Sequence, residues 1–337
     1  MRVARLLVLS VLSAAAAIGA IEGFTRLIAA APPAARFPAE FATERAFVQR
    51  DDEIGFGLVP GYADERYSVN DAGFRGEPFP ADLSERFTVL CAGDSTTFGW
   101  RVSEGEHFPA HLARLLRARL ATKTWVVNAG VPSFSSAQVL RKLERDLPLI
   151  EPKIVVVTMP WNDMWYSAMP SWSSNVLVPQ VPRPWQIWLL RHSAFFRALA
   201  APAVMEPEAN RSAAGALDLF AANTAAAIES VRSSGATPVF QTPPFDAGHV
   251  RPEGVRFKPT GLKWGRDFLL EKARLYVSRF QEVAADGGVP LAPNPLSIDA
   301  LDQHDFFIDE IHPTAAGYAR TAAALMEVFE RERLLPP

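Results

Sequence analysis

From residue 87 onward the chain alternates short apolar runs rich in β-branched residues with longer stretches whose leucines and alanines recur at helical spacing. No other feature restricts its fold as much. The runs at residues 87–91, 125–127, 154–157 and 238–240 are continuously apolar, which is how strands buried on both faces read. Between and after them, residues 108–120 place Leu112, Leu115, Leu116 and Leu120 on one stripe. Residues 137–147 repeat the device, and residues 213–231, 267–284 and 314–329 supply three more amphipathic segments. This rhythm predicts the α/β class: a doubly wound, flavodoxin-like parallel sheet flanked by helices, with functional residues at the carboxyl ends of the strands.

What precedes that rhythm differs. Arg2 and Arg5 flank an uncharged apolar run over residues 6–21, which Glu22 ends, as in a segment read by export machinery. The run sits at the short edge of the ~17–25 residues that span hydrocarbon, so residues 1–35 are expected to be a signal anchor or a cleaved signal peptide. The arginines orient the body outward, anchored at the inner membrane and facing the periplasm or exterior, or secreted if cleavage occurs. Glu22 and Arg26 stand four apart, where a helix would pair them. Residues 36–84, punctuated by Gly55, Gly57, Pro60, Gly61, Gly73 and Gly76, predict an irregular extension with a small hairpin, packed on the body. The pair Gly55-x-Gly57 lacks the third glycine and following helix of a dinucleotide fingerprint. With 34 Lys+Arg against 37 Asp+Glu, no basic surplus exists to displace counterions, which argues against nucleic-acid binding. One cysteine, Cys91, allows neither an internal disulfide nor a cysteine-based zinc cage.

Candidate chemistry lies where the fold class puts it. The first strand runs into Ala92-Gly93-Asp94-Ser95-Thr96-Thr97, presenting Ser95 on a tight turn as a nucleophile; Thr97 excludes the Gly-x-Ser-x-Gly elbow. Near the other end, Asp309-Glu310-Ile311-His312-Pro313 supplies His312 as base and Asp309 as the carboxylate that orients it, with Pro313 opening the next helix. Glu310, Asp305 and Asp246 are the alternative orienting carboxylates. The remaining histidines, at 107, 111, 192, 249 and 304, have no comparable setting. The Ser95 and Gly130 amides and the Asn162 carboxamide are candidate oxyanion donors, each following a strand, and Asp163 is read as structural.

In that order, Gly93-Asp94-Ser95, Gly130, Asn162-Asp163 and Asp309-x-x-His312 resemble the four blocks of the SGNH (GDSL-like) hydrolases, over about residues 85–335. The third block has Pro160 where the family usually has glycine, and Thr96 replaces a leucine of the first. The resemblance implies Ser95 as nucleophile, His312 as base, Asp309 as its partner and Ser95, Gly130 and Asn162 as the oxyanion hole. Residues 52–56 and 69–76 are similar to the region that precedes the domain in membrane-anchored bacterial members.

Residues 161–210 read as a Trp/Pro-rich, lid-like insertion. Trp161, Trp165, Trp172, Trp185 and Trp188 stand there among Pro170, Pro179, Pro182 and Pro184, with Trp161 and Trp165 as candidate substrate-binding rings. No metal-ligand spacing or phosphate-cradling loop is present, so neither metal nor other cofactor is expected. The function these readings predict is serine esterase hydrolysis of an acyl ester, such as O-acetyl on a cell-envelope glycan or lipid, through an acyl-enzyme. The alternatives are an O-acyltransferase in polysaccharide modification and a non-catalytic glycan-binding module. Oligomeric state leaves no mark in the sequence.

Overall fold

The structure is a computed structural model that describes residues 13, 16–26, 46–83, 85–159, 161–168, 185, 188–189, 192–196, 212–256 and 263–337. Most of the expected signal segment, residues 36–45 of the extension, Pro160 and the middle of the tryptophan-rich insertion with Trp172 lie outside them. The chain forms two compact units. One comprises Phe47–Gln180, Glu208–Val255 and Lys263–Pro337, and the other Met1–Ala46, Val181–Pro207 and Arg256–Leu262.

The larger unit opens with an antiparallel hairpin, β1 (Val48–Asp51) and β2 (Gly55–Leu58), in register Val48↔Leu58. Isolated bridges Ala63↔Ser68 and Val69↔Arg75 continue the extended character up to the body. Next comes the parallel sheet: β3 (Phe87–Gly93), β4 (Thr124–Asn128), β5 (Ile154–Thr158), β6 (Thr237–Gln241) and β7 (Leu291–Ala292), in spatial order β4-β3-β5-β6-β7. The first strand of the sheet sits between the second and third, as in flavodoxin-like folds, and the register pairs Cys91 with Asn128 and Gly93 with Thr158. Edge strand β7 was not anticipated. Two residues between Pro290 and Pro293 carry no pattern, and an edge tolerates the missing amide donors of proline.

The helices of this unit are α1 (Ser95–Phe98), α2 (Phe108–Arg119), α3 (Ser136–Ile150), α4 (Trp161–Tyr166), α5 (Ala216–Ser233), α6 (Arg266–Asp286) and α7 (Ala315–Arg331). Helices α2 and α7 pack together on one sheet face. Leu112, Leu116, Tyr318, Ala322, Leu325 and Phe329 bury there against Val89, Cys91, Ile154 and Val156. Helix α3 packs on α5, and α5 on α6. Helix α3 outlasts its expected end, running through Pro148 to Ile150. A proline in the last turn costs one backbone bond, while fully buried Ile150 and Leu147 keep the turn docked. Pro313 does not open α7. The helix starts at Ala315 behind the cap Thr314, whose hydroxyl accepts the Gly317 amide at 3.4 Å.

In the smaller unit, residues 16–26 are helical and hold the expected pair, Arg26 Nε to Glu22 Oε1 at 2.8 Å. Glu22 also accepts the Phe195 and Ala194 amides and the Ser193 hydroxyl, which hold its carboxyl down at about 2. No helix among the described residues is long and apolar enough to cross a membrane.

Candidate active site

Strand β3 ends in Gly93 because the chain must fold back tightly there. A Cβ on Gly93 would meet Thr97 Oγ1 at 2.2 Å and the Thr158 carbonyl at 2.4 Å. Asp94 then caps the short helix α1, its carboxylate accepting the Thr96 amide at 2.8 Å and the Thr96 hydroxyl at 2.9 Å. Burial pushes the Asp94 carboxyl up, against those donors and the pull of His312. Ser95 thus sits at the first helical position, 8% exposed.

The partner arrives from the far end of the chain. Ile308 N–H donates to the His312 carbonyl and Thr314 N–H to the Phe306 carbonyl, both at 2.8 Å. Together with the bridge Phe307↔Pro313, these bonds close a tight loop over residues 307–313. Inside the loop Asp309 accepts the Ile311 and His312 amides, and both of its oxygens face His312 Nδ1, at 2.8 and 2.9 Å. Burial alone would raise the Asp309 carboxyl. The His312 charge and these donors outweigh it and hold the group well below the usual carboxylate range. Arg101 Nη1 lies 3.7 Å from Asp309 Oδ2. With Nδ1–H committed to Asp309, His312 Nε2 is the acceptor, and Ser95 Oγ lies 2.9 Å from it. Glu310 and Asp246 do not touch that ring; the Glu310 carbonyl instead accepts the Asp246 amide at 2.8 Å. A hydroxyl, an imidazole acceptor and a carboxylate in this sequence can carry out nucleophilic acyl transfer.

The expected oxyanion donors are arranged differently from the sequence reading. The Gly130 amide donates to Asn128 Oδ1 at 3.1 Å. Glycine is required at 130 for close packing, since a Cβ would stand 2.2 Å from the Phe98 nitrogen and 2.7 Å from the Thr97 carbonyl carbon. Asn162 Nδ2 donates to the Phe134 carbonyl at 2.9 Å and to Asp94 Oδ2 at 3.3 Å, so its carboxamide is anchored between two loops. An oxyanion could gain these donors only by exchange with Asn128 and with the longer Asp94 contact. Asp163 receives the Ser136 amide at 2.8 Å and the Ser136 hydroxyl at 2.5 Å, tying α4 to the start of α3; burial pushes its carboxyl up to about 7.

Trp161 and Trp165 are corrected. They are 0% and 4% exposed and pack on Phe245 and Trp264, each with ring centroids 5.1 Å apart, so neither offers a face to a substrate. Helix α4 turns both rings into the body because they are large apolar groups on the side that meets the β6 and α6 neighbourhood. The other histidines are engaged elsewhere. His107 caps α2 through Nδ1 and bonds Glu104, and His249 and His304 both reach Asp246.

Sequence reasoning also missed Arg75. Its buried guanidinium donates to the carbonyls of Phe98 and Gly99, both at 2.7 Å, and of Val102 at 2.9 Å, while lying against the rings of Tyr67 and Phe98. Phe47 stacks on Phe98 with centroids 5.2 Å apart. The extension therefore braces the back of α1. The stretch 69–76 was visible as a motif, but nothing in it shows which carbonyls Arg75 would satisfy.

Comparison with curated proteins finds no match. Among solved structures the chain is similar to a psychrotrophic esterase, EstA, from Pseudoalteromonas sp., at 13% identity over 73% of this chain and 98% of that one, TM-score 0.46. It is also similar to the lipase/acylhydrolase from Enterococcus faecalis, at 17% identity over 73% and 96%, TM-score 0.46. A third is an acetyl xylan esterase from Geobacillus stearothermophilus, at 16% identity over 72% and 93%, TM-score 0.45. The family model of the GDSL-like lipases and acylhydrolases matches residues 91–320, a span running from strand β3 into helix α7 and holding Ser95, Asp309 and His312. The chain belongs to the GDSL-like lipase/acylhydrolase family and is a carboxylic-ester hydrolase.

Proposed function

We propose that the protein cleaves acyl esters with Ser95 as nucleophile, His312 as general base and acid, and Asp309 as the group that orients His312. The observation that carries this reading is the 2.9 Å separation of Ser95 Oγ and His312 Nε2, with Nδ1 held by Asp309. Ser95 Oγ attacks the ester carbonyl carbon while its proton passes to Nε2. The tetrahedral intermediate collapses, the C–O bond to the alcohol breaks, and the alkoxide leaves with the proton from Nε2. Water then attacks the acyl-enzyme by the same route and releases the acid. The Ser95 amide, with those of Gly130 and Asn162 once released from Asn128 and Asp94, stabilises the oxyanion.

The substrate class in this reading is an O-acyl group, such as O-acetyl, on a cell-envelope glycan or lipid. Its support is the pair of N-terminal arginines before an apolar run, which suits an exported enzyme held at the membrane. The test is hydrolysis of 4-nitrophenyl acetate by the wild type and by Ser95→Ala. The reading requires loss of turnover in the variant, and equal rates would remove Ser95 from the mechanism.

A further inference from the structure

Apart from the Ser95–His312 pair, the densest group of metal-ligating side chains among the described residues is Asp246, His249 and His304. Asp246 follows β6 and is 4% exposed. Its Oδ1 accepts the Gly248 amide at 2.8 Å, fixing the turn that returns His249 to it. Its Oδ2 meets His249 Nδ1 at 2.6 Å and His304 Nδ1 at 3.2 Å. The two imidazoles stack with centroids 3.8 Å apart and an interplanar angle of 19°. Gln303 keeps the two segments in register, its Nε2 donating to the carbonyls of Phe245 at 2.9 Å and Ser297 at 3.0 Å.

This arrangement has a chemical oddity. One carboxylate oxygen serves two imidazole edges at once. A single divalent cation satisfies all three groups together once the exposed His304 ring turns out of the stack to aim its nitrogen at the ion. One ligand atom from each of Asp246, His249 and His304 lies within 4.8 Å of the other two. Tetrahedral zinc with bonds of ~2.0–2.2 Å sets its ligand atoms about 3.3 Å apart; the 3.2 Å between His304 Nδ1 and Asp246 Oδ2 matches this, and His249 Nδ1, at 2.6 Å from the same oxygen, must draw back to admit the ion. Two imidazoles and one carboxylate are the donors of zinc and its neighbours in the transition series; magnesium and calcium prefer all-oxygen shells.

We propose that Asp246, His249 and His304 bind one divalent transition-metal ion of the zinc class. His304, whose side chain is 65% exposed, leaves the fourth position to water. The ion cross-links the turn after β6 to the 304–306 helical turn. Because the Asp246 amide also holds the Glu310 carbonyl, that cross-link borders the loop bearing His312. It acts as a brace outside the reacting centre.

The test is calorimetric titration of the full chain with zinc chloride, with cobalt chloride as an optical probe. The expected result is one equivalent of zinc bound, a rise in Tm, and a visible cobalt absorption band. In His304→Ala, zinc affinity falls at least about tenfold and the cobalt band disappears. Since His304 is exposed, that variant folds, and its rate of 4-nitrophenyl acetate hydrolysis in chelator matches the wild type. His249→Ala should lose the same binding. Failure of the wild type to bind an equivalent of zinc overturns the proposal, as does binding that survives unchanged in both variants.

Discussion

Ser95 Oγ and His312 Nε2 lie 2.9 Å apart although 217 positions separate them in the chain. The contact joins the turn after the first strand of the sheet to the loop before its last helix. Asp309 prolongs the line on the other side of the ring, with 2.8 Å between Oδ1 and Nδ1.

Asp309→Asn leaves the loop bonds to the Ile311 and His312 amides available but no longer enforces the Nδ1–H tautomer. Turnover of 4-nitrophenyl acetate should fall by roughly 10⁴-fold while the circular dichroism spectrum stays unchanged. A variant as active as the wild type would show that another carboxylate orients the ring.

Arg75→Ala removes a donor shared by three carbonyls behind α1. The Phe98 carbonyl keeps Asn128 Nδ2 and the Gly99 carbonyl keeps the Val102 amide, but the Val102 carbonyl and the Tyr67 and Phe98 rings lose their partner, which costs on the order of 1–3 kcal/mol and would show in urea unfolding as a lower midpoint. Activity should drop as well, since α1 carries Ser95. A midpoint equal to that of the wild type would show that the extension does not support the helix.

Gly130→Ala forces a methyl group to within 2.2 Å of the Phe98 nitrogen. Backbone cannot yield there as a side-chain tip would, so the variant should lose about 1–3 kcal/mol and lower the hydrolytic rate by displacing α1. Thermal unfolding and steady-state kinetics on one preparation would read both effects.

Acid should weaken the fold before it protonates ordinary carboxylates. Burial, against the pull of Glu104, pushes the His107 imidazole down to about 4, and its Nδ1 accepts the Ala110 amide at 3.2 Å as the cap of α2. An unfolded histidine takes its proton near ~6.5, so stability is full above that pH and declines as pH falls towards 4. Burial would raise Glu104, but the His107 and Arg75 partners hold it down at about 2. Its contribution, complete above ~4.5, is lost at still lower pH. Unfolding free energies at pH 7 and pH 5 should differ in the wild type and differ less in His107→Asn, which caps without titrating in this range. Equal slopes for the two proteins would exclude His107 as the source.

Trp161→Ala and Trp165→Ala should act through stability. Emptying either site costs about 3–5 kcal/mol, whereas Trp161→Phe should keep KM for 4-nitrophenyl acetate unchanged. A selective rise in KM with an unchanged Tm would return these rings to the substrate site.

The sheet and the block positions were legible because each rests on a short-range signal. Buried parallel strands announce themselves as continuous apolar runs, and Gly93-Asp94-Ser95 and Asp309-x-x-His312 are local turns whose backbone bonds form within a few residues. Edge strand β7 was too short to leave such a signal. Trp161 and Trp165 were misread because composition shows that aromatic rings are present but not which way a helix turns them.

By itself the sequence determined the α/β class and the strand-end blocks by which the chain resembles its family. Periodicity and turn chemistry operate over a few residues and survive without knowledge of what packs on what. Only the tertiary structure decided that the Gly130 amide meets Asn128, that Asn162 reaches Asp94, that Arg75 holds the back of α1, and that His304 joins Asp246 and His249. Those contacts span long stretches of chain. Their partners are selected by burial and by the need to satisfy polar groups removed from water, conditions that exist only once the layers have closed.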